Sequence, residues 1–326
     1  MPEPIVSVVM PVYNGEAYLR SAVESILSQT IVDLELVVIN DGSADRTGEI
    51  LAGFSDDRLI IINQEHRGLV ASLNHGLAIA KRKYIARMDG DDIALPARLE
   101  KQVAFLEMHP QVGILGTACR LIDAAGRNLG VVQWPADDLQ IRWVSLLGTP
   151  FAHPTVVMRR ETLKDNGLTY DDAFAEGVED YDLWTRVLRY ASGANLAEPL
   201  LLYRRHSGVS TGRNEGAELR NHMAVALRTI EEQLGDFPVT ADEAARLRRV
   251  FIRGTGSDPT LNGQRADLAD LHLRILGAFL RKHEGEWGTR QIRLRESLRV
   301  LRLVMRSPFK KGWLPVFRRL ADLYAT

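Results

Sequence analysis

Three carboxylates in four residues, Asp89, Asp91 and Asp92 around Gly90, follow the short run Lys83 to Arg87, which reads as a buried strand. Carboxylates crowded at a strand end repel one another unless a cation sits among them. Hard divalent ions such as Mg2+ or Mn2+ take carboxylate oxygens together with those of a phosphate, so the spacing suggests a metal-bridged nucleoside diphosphate. A solvated Asp-Gly turn is the plain alternative. A second acidic loop, Asn40-Asp41-Gly42-Ser43, ends another apolar run. A third acidic group, Glu179-Asp180, precedes the helical pattern Tyr181 to Leu188 and reads either as a helix cap or as a general base.

These groups need a scaffold, and the first 210 residues alternate strand and helix in the manner of an α/β sheet. Strands are expected at Val6 to Met10, Leu34 to Ile39 and Leu59 to Ile62, with helices at about Ala17 to Gln29 and Leu69 to Ala80. A helix starting at Ser43 would be capped by that serine accepting from the Arg46 N–H. In open sheets ligands gather at the carboxyl ends of the strands, where both the Asp41 loop and the Asp89 loop fall. The turn after the first strand, Pro11 to Glu16, has neither a Gly-x-Gly-x-x-Gly nor a Walker A pattern, which argues against a dinucleotide-binding dehydrogenase. Phosphate charge must then be met by a cation or by side chains such as Arg67, Arg204 or Arg205.

The segments Ser7 to Gly15, Asn40 to Ser43, Asp89 to Asp92 and Glu179 to Trp184 stand in the order and spacing of family 2 glycosyltransferases. Arg87-Met88, Leu95 to Leu99, His153 to Val156 and Tyr203 to His206 extend the match. The chain resembles bacterial members that build surface or exopolysaccharides, over about residues 5 to 210. The resemblance implies a GT-A fold: Rossmann-like α/β, with a mostly parallel central sheet flanked by helices. It implies an inverting, metal-dependent transfer from a nucleotide-sugar, most readily a UDP-sugar, to a hydroxyl of a saccharide or lipid-linked saccharide.

The same resemblance assigns roles. Asp41 would bind the base, with Pro11, Tyr13, Asn14 and Arg67 around the nucleotide. Asp89 and Gly90 would hold the ribose side. Asp91 would ligate Mn2+ or Mg2+, and His206 aligns with a histidine that completes the metal shell in some relatives. Asp180 would be the general base, while Asp92, His153, Glu179 and Trp184 would lie on the acceptor side or behind it. Trp184 also sits among Leu183, Val187 and Leu188, which favours a core position over a sugar-stacking one. Trp134 follows an Asp123 to Gly126 turn and would end a hairpin. A nucleotidyltransferase and a non-catalytic module binding nucleotide-sugar or polysaccharide are the other classes considered. The former would need a basic phosphate loop after the first strand, and Tyr13-Asn14-Gly15 supplies none.

Composition fits a folded chain of 326 residues with 45% hydrophobic content and a net charge of −1. The single Cys119 excludes an internal disulfide and is expected to be a buried, inert thiol in a reducing compartment. No signal peptide or membrane-spanning run is apparent. A cytoplasmic chain, possible at the inner membrane face, is therefore expected, with no nucleic-acid partner.

A catalytic domain is expected over residues 1 to 210 and a helical region over 211 to 326. The small-residue stretch Ser207 to Gly216 reads as a lid or a linker. Helices are expected at Ala217 to Gln233 and after a capped start at Thr240, with a break at Gly254 to Pro259. From Arg281 to Asp322 there are twelve Lys or Arg against four Asp or Glu. Leu294, Leu298, Leu301 and Met305 form an apolar stripe beside Arg295, Arg299, Arg302 and Arg306. The stripe either packs on protein or meets an anionic membrane, helped by Phe309, Lys310, Lys311, Trp313, Phe317, Arg318 and Arg319.

Overall fold

The computed structural model describes residues 5–206, 215–252, 264–305 and 313–325. Its first part runs β1 (Val6–Val12), α1 (Leu19–Leu27), β2 (Leu34–Asp41), α2 (Thr47–Ala52), β3 (Leu59–Gln64), α3 (Leu69–Ile79), β4 (Tyr84–Arg87), β5 (Ile93–Ala94) and α4 (Arg98–Met108). It continues with β6 (Val112–Asp123), β7 (Asn128–Val132), α5 (Asp138–Ser145), β8 (Val157–Arg159), α6 (Arg160–Asp165), α7 (Glu179–Val187) and β9 (Ser192–Arg205). Every residue of β1 and β2 is buried, the pattern of parallel strands covered on both faces.

The strands form one mixed sheet in the order β3-β2-β1-β4-β8-β6-β9-β5, with β7 paired to β6. β3, β2, β1 and β4 are mutually parallel. β8 runs antiparallel to both β4 and β6, β9 is parallel to β6, and β5 is antiparallel to β9. The carboxyl ends of β1, β2 and β4 therefore emerge along one edge. Pairing of Ile93 with Leu202 brings the end of β9 to the residues that follow β4.

Alternation along β1 divides the core. Val8 and Met10 pack with Leu19, Ile26 and Leu99 on one face, while Val9 joins Val70, Leu73 and Trp184 on the other. Proline would normally disrupt a central strand, but Pro11 lies beyond Val9, the last β1 residue in register with β4. Buried Ser7 donates to Glu35 Oε1 at 2.6 Å, and Arg82 Nε donates to Glu35 Oε2 at 2.8 Å, so both polar strand residues are satisfied. Cys119 is buried, as expected, and burial pushes its thiol up to about 12.

Compact units comprise residues 1–141 with 149–218, and 142–148 with 219–326. The expected division after residue 210 falls in 207–214, outside the described residues, as do the expected break at Gly254 to Pro259 and Phe309, Lys310 and Lys311. The second unit is built on α8 (Glu215–Leu234), α9 (Ala241–Leu247), α10 (Arg265–Lys282), α11 (Thr289–Met305) and α12 (Leu314–Ala325). Thr240 and Glu243 form a reciprocal capping box at the start of α9.

Two sequence expectations are corrected. Ser43 does not cap a helix: its Oγ accepts from the Asn14 N–H at 2.9 Å, Arg46 N–H donates to Glu16 instead, and α2 begins at Thr47. The loops after β1 and β2 satisfy one another, which removes the need for a local cap. In α11 the inward face is Ile292, Glu296, Val300 and Leu303, while Leu294 and Leu298 are exposed. Glu296 is fixed inside by His272, Arg295 and Arg299, and residues two positions away point to the opposite side of a helix. Trp313, expected to be available for membrane contact, is buried.

Close approach of α3 to β1 depends on Gly76, where an added Cβ would lie 2.3 Å from Val9 Cγ1. Gly76→Ala is expected to lower stability by about 1–3 kcal/mol despite alanine's better helix propensity, read as a lower urea midpoint with unchanged slope.

Candidate active site

Asp89, Asp91 and Asp92 follow β4, and each offers a carboxylate oxygen within 4.8 Å of the others. Asp92 is almost fully buried. Its Oδ1 accepts from the Arg204 N–H at 2.8 Å, but its Oδ2 has no hydrogen-bond partner. Arg204 also donates through Nε to the Asp91 carbonyl at 2.8 Å, which clamps the end of β9 onto the acidic loop. Asp91 Oδ2 lies 2.9 Å from His206 Nε2. Burial, then the neighbouring carboxylates, hold Asp92 well above the usual carboxylate range, and burial raises Asp89 despite its ion pair with Arg87. An acceptor-only oxygen set with one buried oxygen unsatisfied fits a hard divalent cation.

Asp41, at the end of β2, has both oxygens engaged. Oδ1 accepts from Gln64 Nε2 at 2.7 Å and the Arg67 N–H at 2.9 Å; Oδ2 accepts from the Gly68 N–H at 2.8 Å and lies 2.9 Å from His66 Nδ1. Burial would raise Asp41, but these hydrogen bonds outweigh it and hold the carboxyl below its ordinary value. The carboxylate thereby shapes the turn at 64–68. Gly42, at φ +70°, is required there because a Cβ would lie 2.6 Å from His66 N. His66 stacks on Tyr13 at 4.0 Å between ring centroids, and the Tyr13 ring remains half exposed. Asn14, at φ +52°, accepts from the Ala44 N–H at 2.9 Å. Pro11 is buried, Arg67 exposes its side chain, and Gly90 packs its backbone close to Val12.

Glu179 and Asp180 open α7, preceded by Val178 at φ +74°, a strained conformation for a β-branched residue. Asp180 Oδ1 accepts from the Tyr181 N–H at 2.6 Å, and Oδ2 takes no hydrogen bond among the described residues. Glu179 lies 3.6 Å from His153 Nδ1, whose Nε2 is 2.8 Å from the Tyr170 hydroxyl. Tyr170 is fixed by Asn74 at both its N–H and its carbonyl, each at 2.9 Å. Burial keeps His153 neutral to well below its usual range. Trp184 is fully buried and packs edge-on behind His153 and Tyr170, so it supports these side chains and offers no stacking surface.

The sequence marks Arg87 and Arg98 only as parts of motifs, and leaves Tyr170 and Asn74 unmarked. Arg87 is buried and ion-paired with Asp89. Arg98 is fully buried and donates to the Arg87 carbonyl at 2.8 Å. An arginine inside an apolar strand run just before three carboxylates was a readable signal for the first. Nothing local marks Tyr170 or Asn74.

Acidic loops at the carboxyl ends of parallel strands, in a mixed sheet of this order, have the arrangement of the GT-A fold. The model of glycosyl transferase family 2 matches residues 7–166. The chain is 37% identical over 245 residues to EpsE of Bacillus subtilis strain 168, named as a glycosyltransferase, covering 72% of this chain and 86% of that one. It is 35% identical over 210 residues to the O-antigen biosynthesis glycosyltransferase WbnJ of Escherichia coli, covering 62% and 80%. The crystal structure of residues 1–349 of Staphylococcus aureus TarS in complex with UDP-GlcNAc shares the fold, with a TM-score of 0.60 at 19% identity over 98% of this chain and 90% of that fragment. The chain belongs to glycosyltransferase family 2.

Burial raises Glu179 to about 8 and Asp180 to about 6, and the charge of Asp180 adds to the former. The fold holds these protons more tightly than the unfolded chain, where such groups titrate at about 4. Stability from this pair is therefore full below about pH 4 and falls as pH rises, the loss being complete above about 6 for Asp180 and above about 8 for Glu179. Asp180→Asn and Glu179→Gln should each raise the thermal midpoint at about pH 8, with the gain vanishing near pH 4 in calorimetric scans.

Proposed function

We propose that this glycosyltransferase moves a sugar from a UDP-sugar to a hydroxyl of a saccharide or lipid-linked saccharide, with inversion, during surface polysaccharide assembly at the cytoplasmic side of the cell. The observation that carries the reading is the pairing of two acidic centres. One is a cation-ready cluster with an unsatisfied buried oxygen on Asp92, and the other is a carboxylate pair at the start of α7. The name of WbnJ supports the polysaccharide setting, and the UDP-GlcNAc bound by TarS supports a uridine nucleotide.

In this reading the base rests against Tyr13 and the turn ordered by Asp41, Asn14 and Pro11 border it, and Asp89 with Gly90 flanks the ribose. Asp91 and His206, with Asp92 beside them, hold Mn2+ or Mg2+, which when bound neutralises charge on the diphosphate. Arg67 adds positive charge near the nucleotide. Asp180 accepts the proton of the acceptor hydroxyl through Oδ2 as that oxygen bonds to the anomeric carbon and the bond to the diphosphate breaks. Its carboxyl, raised to about 6, remains ionised at neutral pH and is more basic than an exposed aspartate. Glu179 and His153 keep the acceptor side formed, with Trp184 packed behind.

Calorimetric titration of UDP, GDP and dTDP, each with and without Mn2+, tests the donor half. UDP is expected to bind only with the metal, and Asp91→Ala should abolish that binding; metal-independent binding, or a preference for GDP, would sink this assignment. For the acceptor half, Asp180→Asn should keep UDP affinity within about twofold while transfer falls by at least ~100-fold. In the native chain transfer should rise with pH through about 6. Full activity in Asp180→Asn would remove it as the base.

A further inference from the structure

Leu294 and Leu298, two residues of the stripe that the sequence marks in α11, face away from the core of their own unit. Leu294 is 55% exposed and Leu298 43% exposed, while Ile292, Glu296, Val300 and Leu303 are buried on the other side. Between Thr289 and Met305 there are five arginines and one acid, and that acid, Glu296, is fully buried against His272, Arg295 and Arg299. The outward face of α11 thus carries leucine and arginine and presents no negative charge. Arg290 and Arg302, both exposed, lie at about 60° on either side of the leucines by helical geometry. Trp287, 77% exposed, stands in the turn just before the helix.

From this we infer that α11 is a docking face for an anionic lipid surface, lying in the plane of the headgroups with Leu294 and Leu298 inserted and Arg290 and Arg302 on the phosphates. Leucines flanked by long cationic side chains match an interface that is apolar below and negative at its rim. A second copy of the chain fits less well. It would set arginine against arginine along the helix, because the one acid on α11 is enclosed and the exposed Glu284 and Glu286 lie outside the helix, in the turn before it. No helix among the described residues is long and apolar enough to cross a membrane, so the contact is peripheral. The inference stands independently of the donor-site reading, since it uses no residue of that site.

The test is co-sedimentation of the full chain with phosphatidylcholine vesicles, with or without phosphatidylglycerol, at low and high salt. Binding is expected only with phosphatidylglycerol and should weaken with salt. Replacing Arg290 and Arg302 together by Gln should weaken it by about 30-fold, at about fivefold per cationic residue. Leu294→Gln with Leu298→Gln should abolish it while the thermal midpoint stays within that of the native chain, since both side chains are exposed. Absence of sedimentation with phosphatidylglycerol would overturn the inference. So would binding that survives the leucine pair, or a dimer in sedimentation equilibrium that the leucine pair dissociates, which would assign the face to a second copy.

Discussion

Three carboxylates whose oxygens lie within 4.8 Å of one another must be held together before anything binds them. Like charges at that distance repel by on the order of 3 kcal/mol per pair at an effective dielectric near 20. What offsets this is a pair of buried guanidiniums. Arg87 is ion-paired with Asp89, and Arg98 stands behind, tied to the Arg87 carbonyl, to Gln102 Oε1 at 3.1 Å and to Met88 Sδ at 3.3 Å. Burial, reinforced by Arg87, lowers Arg98 to about 9 even though Asp92 and Asp89 pull it up. Gln102 in turn donates to the carbonyls of Leu115 and Thr155, which roots the cation stack in β6 and the segment before β8. The acidic loop is therefore an extension of the sheet's polar interior, and its shape is set by strand pairing.

The same dependence reaches the second acidic centre. Asn74 on α3 fixes Tyr170, Tyr170 meets His153, and His153 faces Glu179. At the start of the same helix, Ser72 with Gln64 of β3 connects Asp41 to α3. The Asp41 turn and the Glu179 end of α7 thus share α3 as a common support, and α3 can approach β1 closely only because position 76 has no side chain. A glycine with no polar contact is as necessary to the site as the carboxylates are.

Much of this was legible in the sequence. Unbroken apolar runs such as Val6 to Met10 announce parallel strands, and acidic loops at their ends announce the crevice. The elements that escaped reading are those whose partners lie far along the chain. Ser43 looked like a cap because its local pattern is one, yet its oxygen serves Asn14, 29 residues away. Asp41 reads locally as a carboxylate in an Asp-Gly turn, yet the Gln64 amide and the Arg67 and Gly68 N–H groups, more than 20 residues on, all donate to it. Periodicity in α11 located an apolar stripe correctly but could not say which of two candidate faces turns inward. A single glutamate, satisfied by a histidine on another helix, decided that.

Two buried glutamates show how neighbouring charges decide whether burial raises a carboxyl. Glu296 is fully enclosed, and burial alone would raise it, but His272, Arg299 and Arg295 reverse the effect and bring it to about 2. Glu179 is nearly as buried, and there burial raises the carboxyl and the adjacent charge of Asp180 adds to it, so it rises to about 8. The first carries a charge that its cations keep permanently, and its contribution is to fix helix packing. The second sits where ionisation is unfavourable in the fold, beside Asp180 with one oxygen unengaged and behind a strained Val178. Such a centre would be a defect if the fold were its only purpose, because neutral amides in the same places would stabilise it. Under the proposed function the same end of α7 takes a proton from the acceptor hydroxyl, a task that a raised carboxyl serves better than an amide.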